Sequence, residues 1–457
     1  MKDTHLNANK KEVRRKIYSM ILPITMENIL VMVAGFVSMG MLGRIDTLAI
    51  GAFGLSDRLT KIIWALFKGV TMGASVFVAQ AYGSQNHSRL KKVIQQTLLS
   101  SIILVILLQQ FVFWKAPMLL GIYNPDPNLM HDSIAYLRIV SWGLPFLAIM
   151  LVVAGVLQGM GNARTPMLIA LIMNITNIIF GYGFIFGNFG LPKLGLKGAA
   201  IATIISQVTA AMLGIYVLFN KKGVLSTLLN KRFFKLDIKE VLSIYKVGMP
   251  SALESIFWQV SSIILTKIIM TFGNTALAAY QVGLQAESIS YMPAAGFSIA
   301  ATAFIGQALG ARKEKLGRTY LKETIKGSMI ITSLSVILLV GFPHIILGLL
   351  TNQADVIKLG SIYLVLMGIV QIPQNLSGVL NGALRGAGHT RVPMFVAGAG
   401  LWIVRIPISL ILTYWLHMDI VAIWVVMCFD LVFRFVLSLI LYKTKNIYKT
   451  ELVLEKN

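Results

Sequence analysis

Two glutamates each stand four residues after a proline: Glu27 after Pro23, and Glu254 after Pro250. In a helix that spacing is about one turn. The proline leaves a backbone carbonyl without its helical donor and can kink the helix there. A carboxylate beside such a break can hold a proton or a sodium ion. A carboxyl withdrawn from water also keeps its proton at a higher pH than one in solution. Reversible loading of H+ or Na+ is the chemistry these residues offer. Glu287 is a third carboxylate in an apolar stretch, and charges there are candidates for function. Gln80, Gln307, Asn174 and Gln281 are amides in similar stretches, where such groups line a wet cavity or hold helices together. Asp430 and Arg434 are four apart, the spacing of a helix-surface ion pair. Lys68, Lys267, Arg138 and Arg405 are expected to extend towards membrane interfaces. The six histidines are scattered and Cys428 is the single cysteine, so neither a metal site nor a disulfide is expected. No nucleophile–base set or Gly-rich phosphate loop stands at an element junction. No enzymatic chemistry and no cofactor are expected, only a coupling ion.

The elements that must position these residues are apolar helices. Of 457 residues, 56% are hydrophobic and 13% charged, about half the charged share of a soluble domain. The net charge of 41 − 18 = +23 could suit a nucleic-acid binder, but a mean hydropathy of +0.75 excludes a soluble one. About 20 apolar residues cross the hydrocarbon. Twelve such segments lie at roughly 17–43, 59–82, 93–115, 133–157, 166–187, 198–219, 242–271, 275–305, 322–348, 359–383, 393–416 and 419–442. The reading is an all-α polytopic membrane protein with twelve transmembrane helices.

Basic residues set the orientation. Lys10, Lys11, Arg14, Arg15 and Lys16 precede the first span, and Arg89, Lys91 and Lys92 follow the second. Lys221, Lys222, Lys231, Arg232, Lys235 and Lys239 follow the sixth, and Arg312, Lys313, Lys315 and Arg318 the eighth. Arg385 and Arg391 flank the loop after the tenth, and Lys443, Lys445, Lys449 and Lys456 follow the last. All fall on one side, expected to be cytoplasmic together with both termini. Arg44, Arg58, Lys61, Lys115, Lys193, Lys197 and Lys358 fall on the other.

The chain contains one unit twice, at a constant offset. Pro23 matches Pro250, 250 − 23 = 227. The same offset pairs Glu27 with Glu254, Gln80 with Gln307, Gly83 with Gly310, and Tyr136-Leu137 with Tyr363-Leu364. It also pairs Gly155, Leu157, Gly159 and Gly161 with Gly382, Leu384, Gly386 and Gly388, and Pro166-Met167 with Pro393-Met394. Each unit holds six spans, an even number, so the repeat is parallel, about an axis along the membrane normal. The expected organisation is a tail (1–16), a first six-helix lobe (17–219), a linker (220–240), a second six-helix lobe (241–442) and a second tail (443–457). Two equivalent bundles can rock about a central cavity, which is alternating access. Channel filter motifs and charged rings are lacking.

These features resemble the multidrug and toxic compound extrusion (MATE) family over about residues 15–440. The carrying segments are Leu22–Leu30 and Gly248–Glu254, Val78–Ser84 and Ile305–Ala311, and Gly155–Gly159 and Gly382–Gly386. The resemblance implies twelve helices in two lobes and export of drugs or metabolites against inward H+ or Na+ flow. Proton-coupled members carry an aspartate where this chain has Ser38, and sodium-coupled members one where it has Gln374. Glu27 and Glu254 remain as the coupling candidates, in a P-x-x-x-E placement like that of Gram-positive members. The expected function is antiport of amphipathic or cationic small molecules by a monomer in the plasma membrane, with no nucleic-acid partner. The alternative is a flippase or exporter of lipid-linked saccharides from the wider superfamily. Such proteins often add two spans and carry a strongly cationic cavity.

Overall fold

The computed structural model describes residues 10–45, 47–123, 126–221, 223–226, 231–449 and 451–455. Residues 1–9 of the first tail, Lys222 and Lys456 lie outside the described residues. The first repeat contributes α1 (Lys10–Gly43), α2 (Thr47–Gly83), α3 (His87–Gly121), α4 (Pro127–Ser141), α5 (Leu144–Gly159), α6 (Arg164–Phe186) and α7 (Leu196–Phe219). The second contributes α8 (Ile238–Met270), α9 (Asn274–Gly310), α10 (Glu314–Gly341), the short α11 (Pro343–Gly348), α12 (Ala354–Ile369) and α13 (Gln371–Gly386). It closes with α14 (Arg391–Trp415) and α15 (Ile420–Thr444). Among the described residues ten helices are long and apolar enough to cross a membrane, and the bent pairs α4–α5 (52°) and α12–α13 (48°) bring the number to twelve if each is one span. The bends fall at matched places in the two repeats.

Helix forms throughout because backbone groups in lipid must pair within their own segment. α1 and α8 run on as helix through Pro23 and Pro250. α14 widens into π-type turns at Ala399–Arg405 and Ile411–Trp415. Many large apolar side chains face outward, among them Leu107, Trp114, Ile330, Leu334 and Ile403. That is the pattern expected where the solvent is lipid.

The chain divides into two compact units. One comprises residues 26–78 and 86–248, and the other comprises 1–25, 79–85 and 249–456. The division cuts α1 just after Pro23 and α8 just before Pro250.

In the first of these units, Phe67, Val105, Leu144, Leu147, Ala148 and Leu151 form one core between α2, α3 and α5. Leu42, Tyr136, Val140, Ile185 and Ala200 form another. The last residues before α8 are fastened to α3. Gln96 donates to the Lys235 carbonyl (2.9 Å) and accepts from the Asp237 amide (2.8 Å). Lys92 meets Asp237 at 2.7 Å, and Arg89 meets Glu240 at 2.8 Å.

In the other unit Tyr280, Tyr363, Met367, Trp424 and Met427 build the core. The Tyr363 ring stands edge-on to Tyr280 and Trp424 at 5.7 and 5.3 Å. The ends of α2 and α9 cross within this unit. A side chain at Gly83 would strike the Gln307 backbone, and one at Gly310 the Gln80 backbone. Only glycine permits that approach.

The repeat is visible in helix packing as well as in sequence. In one unit a Cβ at Gly155 would meet Thr71, and one at Gly159 would meet Ser75. In the other, a Cβ at Gly382 would meet Ser298, and one at Gly386 would meet Thr302. All four positions keep the offset, since 298 − 71 = 302 − 75 = 227. The missing side chains thus allow close helix contact at α2–α5 and at α9–α13. Hydroxyls strengthen the second crossing: Ser298 donates to the Gly378 carbonyl (2.9 Å) and Thr302 to that of Gly382 (3.0 Å).

Candidate functional site

Each repeat carries its proline-linked glutamate against the end of the fourth span of the same repeat, at the same internal separation: 158 − 27 = 385 − 254 = 131. The partners differ. Glu27 on α1 accepts one long hydrogen bond, 3.5 Å, from the Gln158 amide on α5. Glu254 on α8 is gripped by Arg385 on α13, whose Nη2 lies 2.6 and 2.8 Å from the two carboxylate oxygens. Arg385 also reaches Ser298 at 3.4 Å. Only 13% of the Arg385 side chain and 14% of the Glu254 side chain are exposed, so this pair is largely desolvated. A guanidinium on a carboxylate is a strong, charge-assisted contact. An amide at 3.5 Å is at the weak limit of hydrogen bonding.

The surroundings of Glu27 differ in kind from those of Glu254. Glu27 borders a narrow crevice otherwise lined by Met150, Val153, Ala154, Pro166, Ile169, Ala170, Ala210 and Gly214. The crevice has room for about one water molecule. The ammonium of Lys68, on α2, acts on Glu27 through space and packs over the Trp64 ring at 4.6 Å. A polar cluster lies further along α1. Ser38 donates to Asn177 (3.2 Å), and the Asn177 amide reaches Thr203 (3.4 Å) and Ser206 (3.5 Å). Ser38 occupies the position where proton-coupled relatives were expected to carry aspartate. It still joins α1 to α6 and α7 there, without a charge. Asn174 is buried one turn earlier on α6, and its Nδ2 has no partner among the described residues.

The second repeat holds a denser set of buried charges. Glu287 on α9 is buried and accepts from the Tyr363 hydroxyl and the Gln371 amide, both at 2.9 Å. Asp430 on α15 is fully buried and receives Arg434 one turn on (3.0 and 2.7 Å) and Arg405 from the π-type turn of α14 (2.8 Å). Both guanidiniums lie against the Trp258 ring, at 4.4 and 5.6 Å. The Asp430–Arg434 spacing thus makes the expected ion pair. Arg405 does not reach for an interface: it is 6% exposed and completes a triad. The cause is local. Gly400 has no side chain to hold α15 away from α14, and a Cβ there would collide with Asp430 and Arg434.

The amides singled out in the sequence scatter. Gln80 is fully buried, and both ends of its amide are used: it donates to the Gly386 carbonyl (3.1 Å) and accepts from the Val453 amide (3.0 Å). Gln307 meets Gly83 at a helix crossing. Gln281 is exposed on α9. Sequence reasoning placed Arg385 beside a loop and missed it as the partner of Glu254. The signal was present in the repeat, because Gln158 and Arg385 are matched positions.

The MatE family matches the chain twice, over residues 23–183 and 250–411. The matches begin at the two prolines, 227 apart. The chain belongs to the MatE family. It is accordingly a multi-pass membrane protein of this transporter family. It is 28% identical over 436 residues to the probable multidrug resistance protein NorM of Thermotoga maritima, covering 94% of this chain and 92% of that one. It is 26% identical over 419 residues to the probable multidrug resistance protein YoeA of Bacillus subtilis, covering 91% and 90%. A crystal structure of a MATE protein in complex with MaL6 shares the fold, with a TM-score of 0.87, 18% identity and coverage of 97% and 98%.

Proposed function

We propose that this MatE protein is a secondary exporter. It moves amphipathic, cationic small molecules such as drugs and toxic metabolites out across the cell membrane, in exchange for inward cation flow. It works as a monomer with both termini in the cytoplasm. The names of its relatives support the export of drugs.

The asymmetry between Glu27 and Glu254 carries the coupling assignment. Glu254 has a permanent counter-charge in Arg385, and adding a cation there requires breaking a desolvated ion pair. Among the described residues Glu27 accepts one hydrogen bond, from the Gln158 amide at the limit of contact, and the Lys68 ammonium acts on it through space. Its negative charge is therefore the one a transported cation can neutralise. The crevice beside it is apolar apart from Glu27 itself and holds about one water molecule. A sodium ion stripped of water needs several oxygen ligands, whereas a proton needs one carboxylate oxygen. The reading is a proton carried on Glu27, bound from outside and released inside while the substrate leaves.

Transport by purified protein in liposomes, under an imposed H+ or Na+ gradient, tests this. Wild type is expected to respond to the proton gradient, and Glu27→Gln to fall to the level of empty liposomes. Glu254→Gln is expected to keep a proton response while melting at lower temperature. Full proton-driven efflux by Glu27→Gln overturns the assignment. A response to sodium alone replaces the ion.

A further inference from the structure

The cytoplasmic-side end of α10, as the basic residues orient it, carries a feature that transport chemistry does not use. Arg318, Lys322 and Lys326 succeed one another at four-residue intervals and line a groove with Leu321, Ile325, Tyr442 and Tyr448. The groove is about 440 Å³, the size of a small-molecule site. Arg318 is accounted for: Glu314 binds it at 2.7 Å and the Tyr448 ring lies 4.8 Å from it. The nearby Glu323 is taken by Arg14. Lys322 and Lys326 are exposed and form no ion pair among the described residues. Glu323 acts on Lys326 only through space, so among the described residues the groove holds two exposed cations without a direct ion pair beside two phenols, which suits an anion bearing a phosphate.

The row continues along the helix. Four-residue steps from Lys326 reach Ile330, Leu334 and Leu338, which are 67%, 60% and 39% exposed. No charged residue follows Lys326 before Gly341, about 22 Å along the helix at 1.5 Å per residue. The lysines thus stand at the headgroup end of an apolar track of near-membrane depth. A free phosphate uses the lysines and leaves the track idle. An acyl-chain lipid uses both.

The first repeat has no equivalent. Positions matching Lys322 and Lys326 are Gln95 and Leu99, at 322 − 227 and 326 − 227. Gln95 donates to the Phe233 carbonyl of the linker.

We propose that Lys322, Lys326, Tyr442 and Tyr448 form a binding site for an anionic membrane phospholipid. Its phosphate sits between the lysines, and its acyl chains lie along Ile330, Leu334 and Leu338.

The test uses the full chain in detergent, with native mass spectrometry and melting temperature as readouts. Phosphatidylglycerol, phosphatidylcholine and inorganic phosphate are added in turn. Phosphatidylglycerol is expected to bind and to raise the melting temperature, while phosphatidylcholine and phosphate do neither. The Lys322→Gln/Lys326→Gln double variant is expected to bind phosphatidylglycerol about thirtyfold more weakly, from about five- to sixfold per lysine. Both lysines are exposed, and an unchanged melting temperature without lipid confirms that the variant is folded. Equal binding of phosphatidylcholine, equal stabilisation by phosphate, or undiminished binding by the folded double variant overturns the proposal.

Discussion

At the scale of residues, one substitution between matched positions separates two kinds of carboxylate. Gln158 leaves Glu27 weakly bound, and Arg385 at the equivalent place neutralises Glu254. This predicts an exchange experiment. Gln158→Arg gives Glu27 the partner its counterpart has. The variant is expected to fold and to lose gradient-driven efflux as completely as Glu27→Gln, in the same liposome assay. Retained efflux would show that a guanidinium at 158 does not engage Glu27, and with it that the repeats are not interchangeable here. Removing the arginine acts on stability instead. Arg385→Leu leaves the Glu254 carboxylate desolvated and unpaired, a loss of about 3–5 kcal/mol. Adding Glu254→Leu should recover most of it, as a double-mutant cycle of melting in detergent would read. The residue types and the matched spacing of Glu27 and Glu254 were legible in the sequence. Their different partners were not, because a counter-ion 131 residues away is set by the packing of α13 on α9.

Among the elements, the crossings of α2 with α5 and of α9 with α13 decide where those side chains stand. Each rests on two glycines whose missing Cβ lets a neighbouring backbone or hydroxyl residue into contact. Gly382→Val forces α13 away from the Ser298 carbonyl and is expected to cost about 1–3 kcal/mol or more. Because Arg385 rides on α13, the Glu254 pair should be disturbed with it. Gly155→Val meets the Thr71 side chain, which can rotate, so its cost should be smaller. Equal melting temperatures for the two variants would contradict this ranking. The recurrence of these glycines at the 227-residue offset was legible in the sequence. The π-type turns of α14 and the burial of Arg405 left no such mark. The burial of Arg405 follows from Gly400 allowing α15 to approach, a contact between residues distant in the chain.

For the whole molecule, the parallel repeat gives both halves the same direction through the membrane, and the basic residues give that direction a sign. The lone cysteine makes the sign measurable. Cys428 is partly buried and donates to the Leu366 carbonyl at 3.4 Å, so Cys428→Ala should be tolerated. In that background, Lys193→Cys is expected to react with a membrane-impermeant thiol reagent added to intact cells. Lys313→Cys is expected to react only after the cells are opened. The opposite pattern would invert the topology. The sequence by itself determined the helical, membrane-spanning class, the number of spans and the repeat. It could do so because hydropathy and a fixed offset are properties of the chain read in order. The tertiary structure alone decided which glutamate is paired, which amides are consumed by helix contacts and which lysines line the groove beside Tyr442 and Tyr448. Those outcomes depend on distances between segments far apart in the chain, and a few ångströms there separate a neutralised charge from an available one.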